Sequence, residues 1–207
     1  MLSKLSKDKF SPFSILMINN IAVFCGSHIG RNPNFQSAAQ QLGTLIAQQC
    51  RTLVYGGSDL GYMGVVSTAA LDGGARVVSV IPTIFSDEVI NSQPRAETVR
   101  VASMQERKSH MIALCDAFVA LPGGIGTLDE LTEVLMSNQL GLCCKPVGLL
   151  NIDGYFDPFI QQVYNMTDEE LFNPATGETL FVDADPQRLL AKLDAFVPDK
   201  AAIYSRR

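Results

Sequence analysis

Residues 117–139 read AFVAL-PGGIGT-LDELTEVLMSNQ: an uninterrupted apolar run, a turn with three glycines, then apolar residues at helical spacing. The five-residue run (Ala117 to Leu121) has no polar alternation, so as a strand it must be covered on both faces. The turn Pro122-Gly123-Gly124-Ile125-Gly126-Thr127 then feeds a helix expected over Thr127 to Gln139. Glycines here let backbone N–H groups approach a ligand closely and point one way, and the helix dipole favours an anion at that end. A second reading stays open: the glycines only make a tight turn, with Thr127 as N-cap and Glu130 completing a T-x-x-E capping box.

The same strand–turn–helix grammar extends in both directions. Strands are expected at Asn20 to Cys25, Thr52 to Tyr55, Arg76 to Ile81 (stopping at Pro82), Thr98 to Val101 and Pro146 to Leu150. Helices are expected from after Asn34 to about Gln49, and over Gly64 to Leu71, Gln105 to Cys115, Asp157 to Tyr164 and Pro186 to Phe196. Buried strands alternating with helices make a single α/β domain, a doubly wound parallel sheet flanked by helices. Ligands of such sheets bind beyond the carboxyl ends of the strands. Three strands end in glycine turns there: Cys25-Gly26-Ser27, Tyr55 to Gly64 (YGGSDLGYMG) and Leu121 to Glu130 (LPGGIGTLDE).

Composition narrows the chemistry. The 207 residues, 47% hydrophobic and 18% charged, suffice for one core. A net charge of -5 without a long basic run argues against nucleic acid as partner. No uncharged apolar stretch approaches the ~18 residues a membrane span needs. Five cysteines (Cys25, Cys50, Cys115, Cys143, Cys144) without CxxC spacing read as reduced, mostly buried thiols of a cytoplasmic protein. Two histidines, His28 and His110, are too few for a protein-built zinc site, so no metal is expected. Neither a dinucleotide fingerprint after the first strand nor a GxxxxGK[ST] loop is present.

At the amino end, Lys4, Lys7 and Lys9 precede an apolar run in the manner of a signal peptide, but Asn19 and Asn20 interrupt it and no A-x-A site follows. Residues 1–17 are expected to be an extension, with Met1 or Met17 as the start, residues 18–197 the domain, and 198–207 a tail. Between the glycine turns, Ser103 to Met111 (SMQERKSHM) opens a helix. Arg107 at a helix amino end opposes the dipole, which suggests an anionic partner; Lys108 beside it is either a second such cation or part of a solvated first turn.

Together these segments resemble the Lonely Guy family, the cytokinin riboside 5'-monophosphate phosphoribohydrolases, whose bacterial members were often labelled lysine decarboxylases. The match runs from about Ile21 to Phe159 through CGS (25–27), GGSDLGYMG (56–64), MQERK (104–108), PGGIGTLDE (122–130) and KPVGLLNIDGYFD (145–157). The chain departs from the family pattern at Ser58, where a third glycine is usual, and at Asp129, where glutamate is frequent. The resemblance implies a Rossmann-like fold and hydrolysis of the N-glycosidic bond of a nucleoside 5'-monophosphate, without cofactor. It assigns Arg107 and Glu130 as the catalytic pair. The substrate-binding set it implies is Ser27, Gly57, Ser58, Glu88, Met104 and Lys108, with Gly123, Gly124, Ile125, Gly126 and Thr127.

It also implies a homodimer, and Leu131, Val134, Leu135 and Leu140 are either core or the dimer face. A competing reading on the same fold is a non-catalytic nucleotide or molybdenum-cofactor carrier, which need not keep the Arg107 and Glu130 pair. A base-exchanging deoxyribosyltransferase is a third. Pyridoxal phosphate chemistry would need Lys108 or Lys145 as the Schiff-base lysine.

Overall fold

The strands come out as β1 Asn20–Phe24, β2 Thr52–Tyr55, β3 Val77–Pro82, β4 Glu97–Val101, β5 Ala117–Ala120, β6 Val147–Leu150 and β7 Leu180–Asp183 in a computed structural model that describes residues 17–90 and 92–199. They form one sheet, in the order β4-β3-β2-β1-β5-β6-β7, and each pair is parallel. The chain steps outward from β1 to β4, then returns to place β5 on the other side of β1. That reversal puts a crevice at the carboxyl ends of β1 and β5, where the Cys25-Gly26-Ser27 and Pro122 to Thr127 turns lie.

The helices are α1 Pro33–Gln48, α2 Gly61–Asp72, α3 Asp87–Ile90, α4 Met104–Leu114, α5 Ile125–Gln139, α6 Asp157–Asp168, α7 Pro174–Gly177 and α8 Pro186–Asp194, with a 3-10 turn at Ile152–Gly154. Because side chains along a strand alternate between faces, the continuous apolar runs divide into two cores. Ile21, Val23, Val119 and Leu121 pack with Leu42 and Ile46 of α1, Val66 of α2 and Leu189 of α8. Ala22, Phe24, Phe118 and Ala120 pack with Met111 of α4 and with Leu131, Val134 and Leu135 of α5. Those three α5 residues are therefore core, whereas Leu140 is exposed.

Several boundaries differ from the sequence expectation. α2 begins at Gly61, three residues early, and α5 at Ile125 with Gly124 as its N-cap. Thr127 is thus the third residue of α5, and its N–H turns back to the Gly124 carbonyl at 3.1 Å, so the Thr127 capping box does not form. Pro82 ends β3 inside the ladder, opposite Val101. β7, half-buried at the sheet edge, was not expected, although Leu180-Phe181-Val182 is an apolar run as long as Leu53 to Tyr55. The extension over residues 1–16 lies outside the described residues, as does residue 200 onward of the tail. Cys25 and Cys115 are buried free thiols, Cys50 is an exposed one, and Cys144 is buried. Among the described residues no helix is long and apolar enough to cross a membrane.

Candidate active site

The crevice requires three glycine turns to interlock at backbone distance. A Cβ on Gly61 (φ +58°) would lie 2.2 Å from the Ser27 carbonyl carbon, and one on Gly123 would lie 2.8 Å from the Gly26 nitrogen. Only residues without a side chain permit that approach, and at Gly61 the backbone itself is left-handed. The Tyr62 N–H donates to the Gly26 carbonyl at 2.9 Å and the Gly26 N–H to the Pro122 carbonyl at 3.3 Å, which ties the turns together.

Beyond them opens a cleft of about 560 Å³. Its lining includes the hydroxyl residues Ser27, Ser58 and Thr127 and the turn residues Gly124, Ile125 and Gly126. A helix leaves its first N–H groups without intrahelical acceptors. Thr127 and Leu128 turn back to Gly124, leaving the N–H groups of Gly124, Ile125 and Gly126 for an acceptor outside the helix. The Ser58 hydroxyl accepts from the Leu60 N–H at 3.1 Å, so the serine supports its own turn while retaining a proton to donate. The same lining includes the apolar side chains of Leu60, Met63, Ile81, Phe85 and Met104.

Arg107 and Glu130 line the same cleft. α4 starts with Ser103, whose hydroxyl accepts from the Glu106 N–H at 3.1 Å, while the Glu106 carboxylate accepts from the Ala102 N–H at 2.6 Å. Ser103 therefore caps α4 while Glu106 reaches back to the residue before the cap, and this sets Arg107, one residue on, over the cleft. The Arg107 guanidinium donates through Nη2 to Glu130 Oε1. Gly56 makes room for it, since a Cβ there would lie 2.8 Å from Arg107 Nη2. Both side chains are buried, Arg107 at 9% and Glu130 at 8% exposure, and Arg107 Nε has no hydrogen-bond partner. Burial pushes the Glu130 carboxyl above the usual carboxylate range, and the charge of Arg107 pulls it back only in part. Burial also raises the Cys25 thiol in the cleft wall, so it stays protonated.

Four of the expected binding residues stand elsewhere. Lys108 is not in the cleft lining; its Nζ reaches Asp129, which is, at 3.1 Å, and Glu133 at 3.3 Å. Consecutive helical residues point about 100° apart, so Arg107 and Lys108 cannot both face the crevice. Glu88 is exposed on α3 and is not in the cleft lining. Gly57 (φ +89°) backs onto Ile81 and Ser79. Gly123 lines an adjoining recess of about 300 Å³. The apolar part of the lining was not anticipated, although Leu60 and Met63 fall inside the second glycine motif and signalled it. Among the described residues no lysine lines the cleft, and Lys145 donates to the Ile112 carbonyl at 2.6 Å, so the residues do not fit a pyridoxal Schiff base.

The fold and cleft define a doubly wound α/β protein whose switch point carries a glycine turn at a helix amino end beside a buried arginine–glutamate pair. The family model described as "Possible lysine decarboxylase" matches residues 63–193. A cytokinin riboside 5'-monophosphate phosphoribohydrolase of Oryza sativa subsp. japonica is 43% identical over 180 residues, covering 86% of this chain and 74% of that protein. One from Arabidopsis thaliana is 40% identical, covering 90% of this chain and 86% of that one. The chain belongs to this family, the Lonely Guy family. In fold it is similar to the molybdenum cofactor binding protein of Rippkaea orientalis (TM-score 0.62, 22% identity, 85% of this chain and 95% of that one). The Moco carrier protein of Chlamydomonas reinhardtii is also similar (TM-score 0.59, 24% identity, 86% and 100%).

Proposed function

We propose that this protein hydrolyses the N-glycosidic bond of cytokinin riboside 5'-monophosphates, and of AMP, releasing free base and ribose 5-phosphate. The observation that carries the reading is the buried Arg107–Glu130 pair in a cleft that it shares with the start of α5 and with apolar side chains. The 5'-phosphate sits on the N–H groups at the start of α5, with the hydroxyls of Ser27, Ser58 and Thr127 around it, which brings C1' over Glu130. As the C1'–N bond breaks, its electron pair leaves with the base and positive charge spreads over the ribose ring. The Glu130 carboxylate stabilises that charge and orients a water, whose oxygen bonds to C1' while one of its protons ends on the base. Arg107, charged at any working pH, holds Glu130 and offsets the negative charge developing on the leaving base. Asp129 and Lys108 hold each other at the rim and take no part in bond breaking.

Relatives so named act on cytokinin riboside monophosphates, and the apolar part of the lining suits a base bearing an aliphatic group. A carrier on the same fold need not keep a buried ion pair in its cleft, and taking two charges out of water is costly. Exposed apolar side chains at the far end of α5 and just beyond it, Met136, Leu140 and Leu142, make this face the proposed contact of a homodimer. The free thiols of Cys25, Cys50 and Cys115 are what a reducing, cytoplasmic setting would leave. Incubation with AMP, isopentenyladenosine monophosphate and adenosine, followed by chromatography, tests the activity: the two monophosphates release free base and adenosine does not. Release from adenosine at a similar rate, or from none of the three, overturns it, and a monomeric mass in solution overturns the dimer.

A further inference from the structure

The recess beside the cleft contains an arrangement to which the reaction assigns no role. Gly26, Ser27 and Gly124 line both spaces, while Gly123, Phe35, Tyr62 and Tyr155 line the recess alone. The Tyr155 hydroxyl donates to the Gly123 carbonyl. Its ring stacks edge-on against Phe35, centroids 5.3 Å apart, and against Phe156 at 5.1 Å.

The turn presenting Tyr155 is held from several sides. Asp153 adopts a left-handed backbone (φ 52°) and accepts from Asn32 and Asn34 at the start of α1, at 2.7 and 2.9 Å. Asn151 accepts from the Phe156 N–H and donates to Asp157, both at 2.7 Å. Gly154 (φ +72°) leaves no room for a Cβ, which would lie 2.5 Å from the Asp157 carboxylate.

We propose that Tyr155 is a positioning residue that locks the Gly123–Gly124 peptide in its anion-binding orientation. The peptide is trans, so its carbonyl and N–H point in opposite directions. With the Gly123 oxygen held on the Tyr155 side, the Gly124 N–H faces away from the recess. Two adjacent glycines impose little conformational preference on that peptide, and a Cβ at Gly124 would meet nothing within 4 Å. Without the hydroxyl the plane rotates readily, turning a carbonyl dipole toward the phosphate and losing a donor.

This inference rests on the phosphate-binding role proposed above. The test compares wild type, Tyr155→Phe and Tyr62→Phe; Tyr62 accepts from the Gly30 N–H at 2.8 Å in the same recess without touching Gly123. Calorimetric binding of AMP and inhibition by inorganic phosphate are measured together with KM, kcat and melting temperature. Tyr155→Phe is expected to weaken AMP and phosphate binding about three- to tenfold, the effect of one hydrogen bond, and to raise KM alike. Its kcat stays within about twofold and its melting temperature is unchanged, while Tyr62→Phe binds as wild type does. Unchanged AMP and phosphate affinity in Tyr155→Phe, or an equal loss in Tyr62→Phe, overturns the proposal. Calorimetry needs no turnover, so wild type that binds AMP without cleaving it refutes the proposed hydrolysis and leaves this comparison intact. Wild type that binds neither AMP nor phosphate refutes both.

Discussion

Replacing Glu130 with glutamine separates electrostatics from shape at the centre of the cleft. The amide keeps an oxygen for Arg107 Nη2, so the contact between α4 and α5 survives while the negative charge is lost. A unit charge about 4 Å from an oxocarbenium ion, at an effective dielectric near 20, is worth about 4 kcal/mol. Arg107 offsets part of that field, which lowers the expected loss to between about 2.7 and 4 kcal/mol, or roughly 10²- to 10³-fold in kcat. AMP affinity should change less than about fivefold, because the phosphate contacts lie at the start of α5. The assay is base release by chromatography, with calorimetric AMP binding and a thermal melt on the same preparation. Asp129→Asn makes the same charge change one residue away, on a carboxylate already held by Lys108, and should stay within about threefold of wild type. Base release by Glu130→Gln within about fivefold of wild type refutes the mechanism. Equal losses in both variants would show that net charge at the rim, and not the carboxylate under C1', controls the rate.

The pH profile follows from the same burial. Glu130 must be ionised to work, so kcat/KM falls as pH drops through its raised value, and the acid limb should lie above the ordinary glutamate value of about 4.3. The raised carboxyl also makes folding less favourable as pH rises from the unfolded to the folded value, and Glu130→Gln should remove that slope from the melting temperature. Gly61→Ala forces a Cβ onto the Ser27 backbone at a left-handed position; it should cost more than about 2 kcal/mol, lowering the melting temperature by at least about 4 °C. A stable, active Gly61→Ala protein would mean that the turns do not interlock as described. Ser103→Ala removes the α4 cap and should cost about 1 kcal/mol, read by thermal melt, with a modest fall in turnover as Arg107 loosens.

The apolar runs at Ile21 to Phe24, Leu53 to Tyr55 and Phe118 to Ala120 carry the fold in the sequence itself. Strands apolar on both sides have one common solution, a parallel sheet between helical layers, and the glycine turns mark its carboxyl edge. Those are local properties of backbone freedom and hydrophobic period, and the Gly56 to Gly64 and Pro122 to Thr127 turns are legible for the same reason. The start of α5 was not legible, because Thr127 and Gly124 both satisfy local capping chemistry and the close approach of Gly123 to Gly26 decides between them. Neighbours in sequence also part ways in space: Arg107 turns into the cleft toward Glu130, 23 residues on, while Lys108 turns to Asp129 and Glu133. The position of α4 relative to α5 determines which face of that helix meets the crevice, and packing of α4 on β1, β3 and β4 and of α5 on β1 sets it. Tyr155 lies 32 residues from the Gly123 carbonyl it holds, and that contact exists only because the turn after β6 folds back beside α1. Sequence determined the elements and their ligand-binding edge; tertiary packing decided which side chains share it, since that depends on distances between elements and not on the preferences of any one.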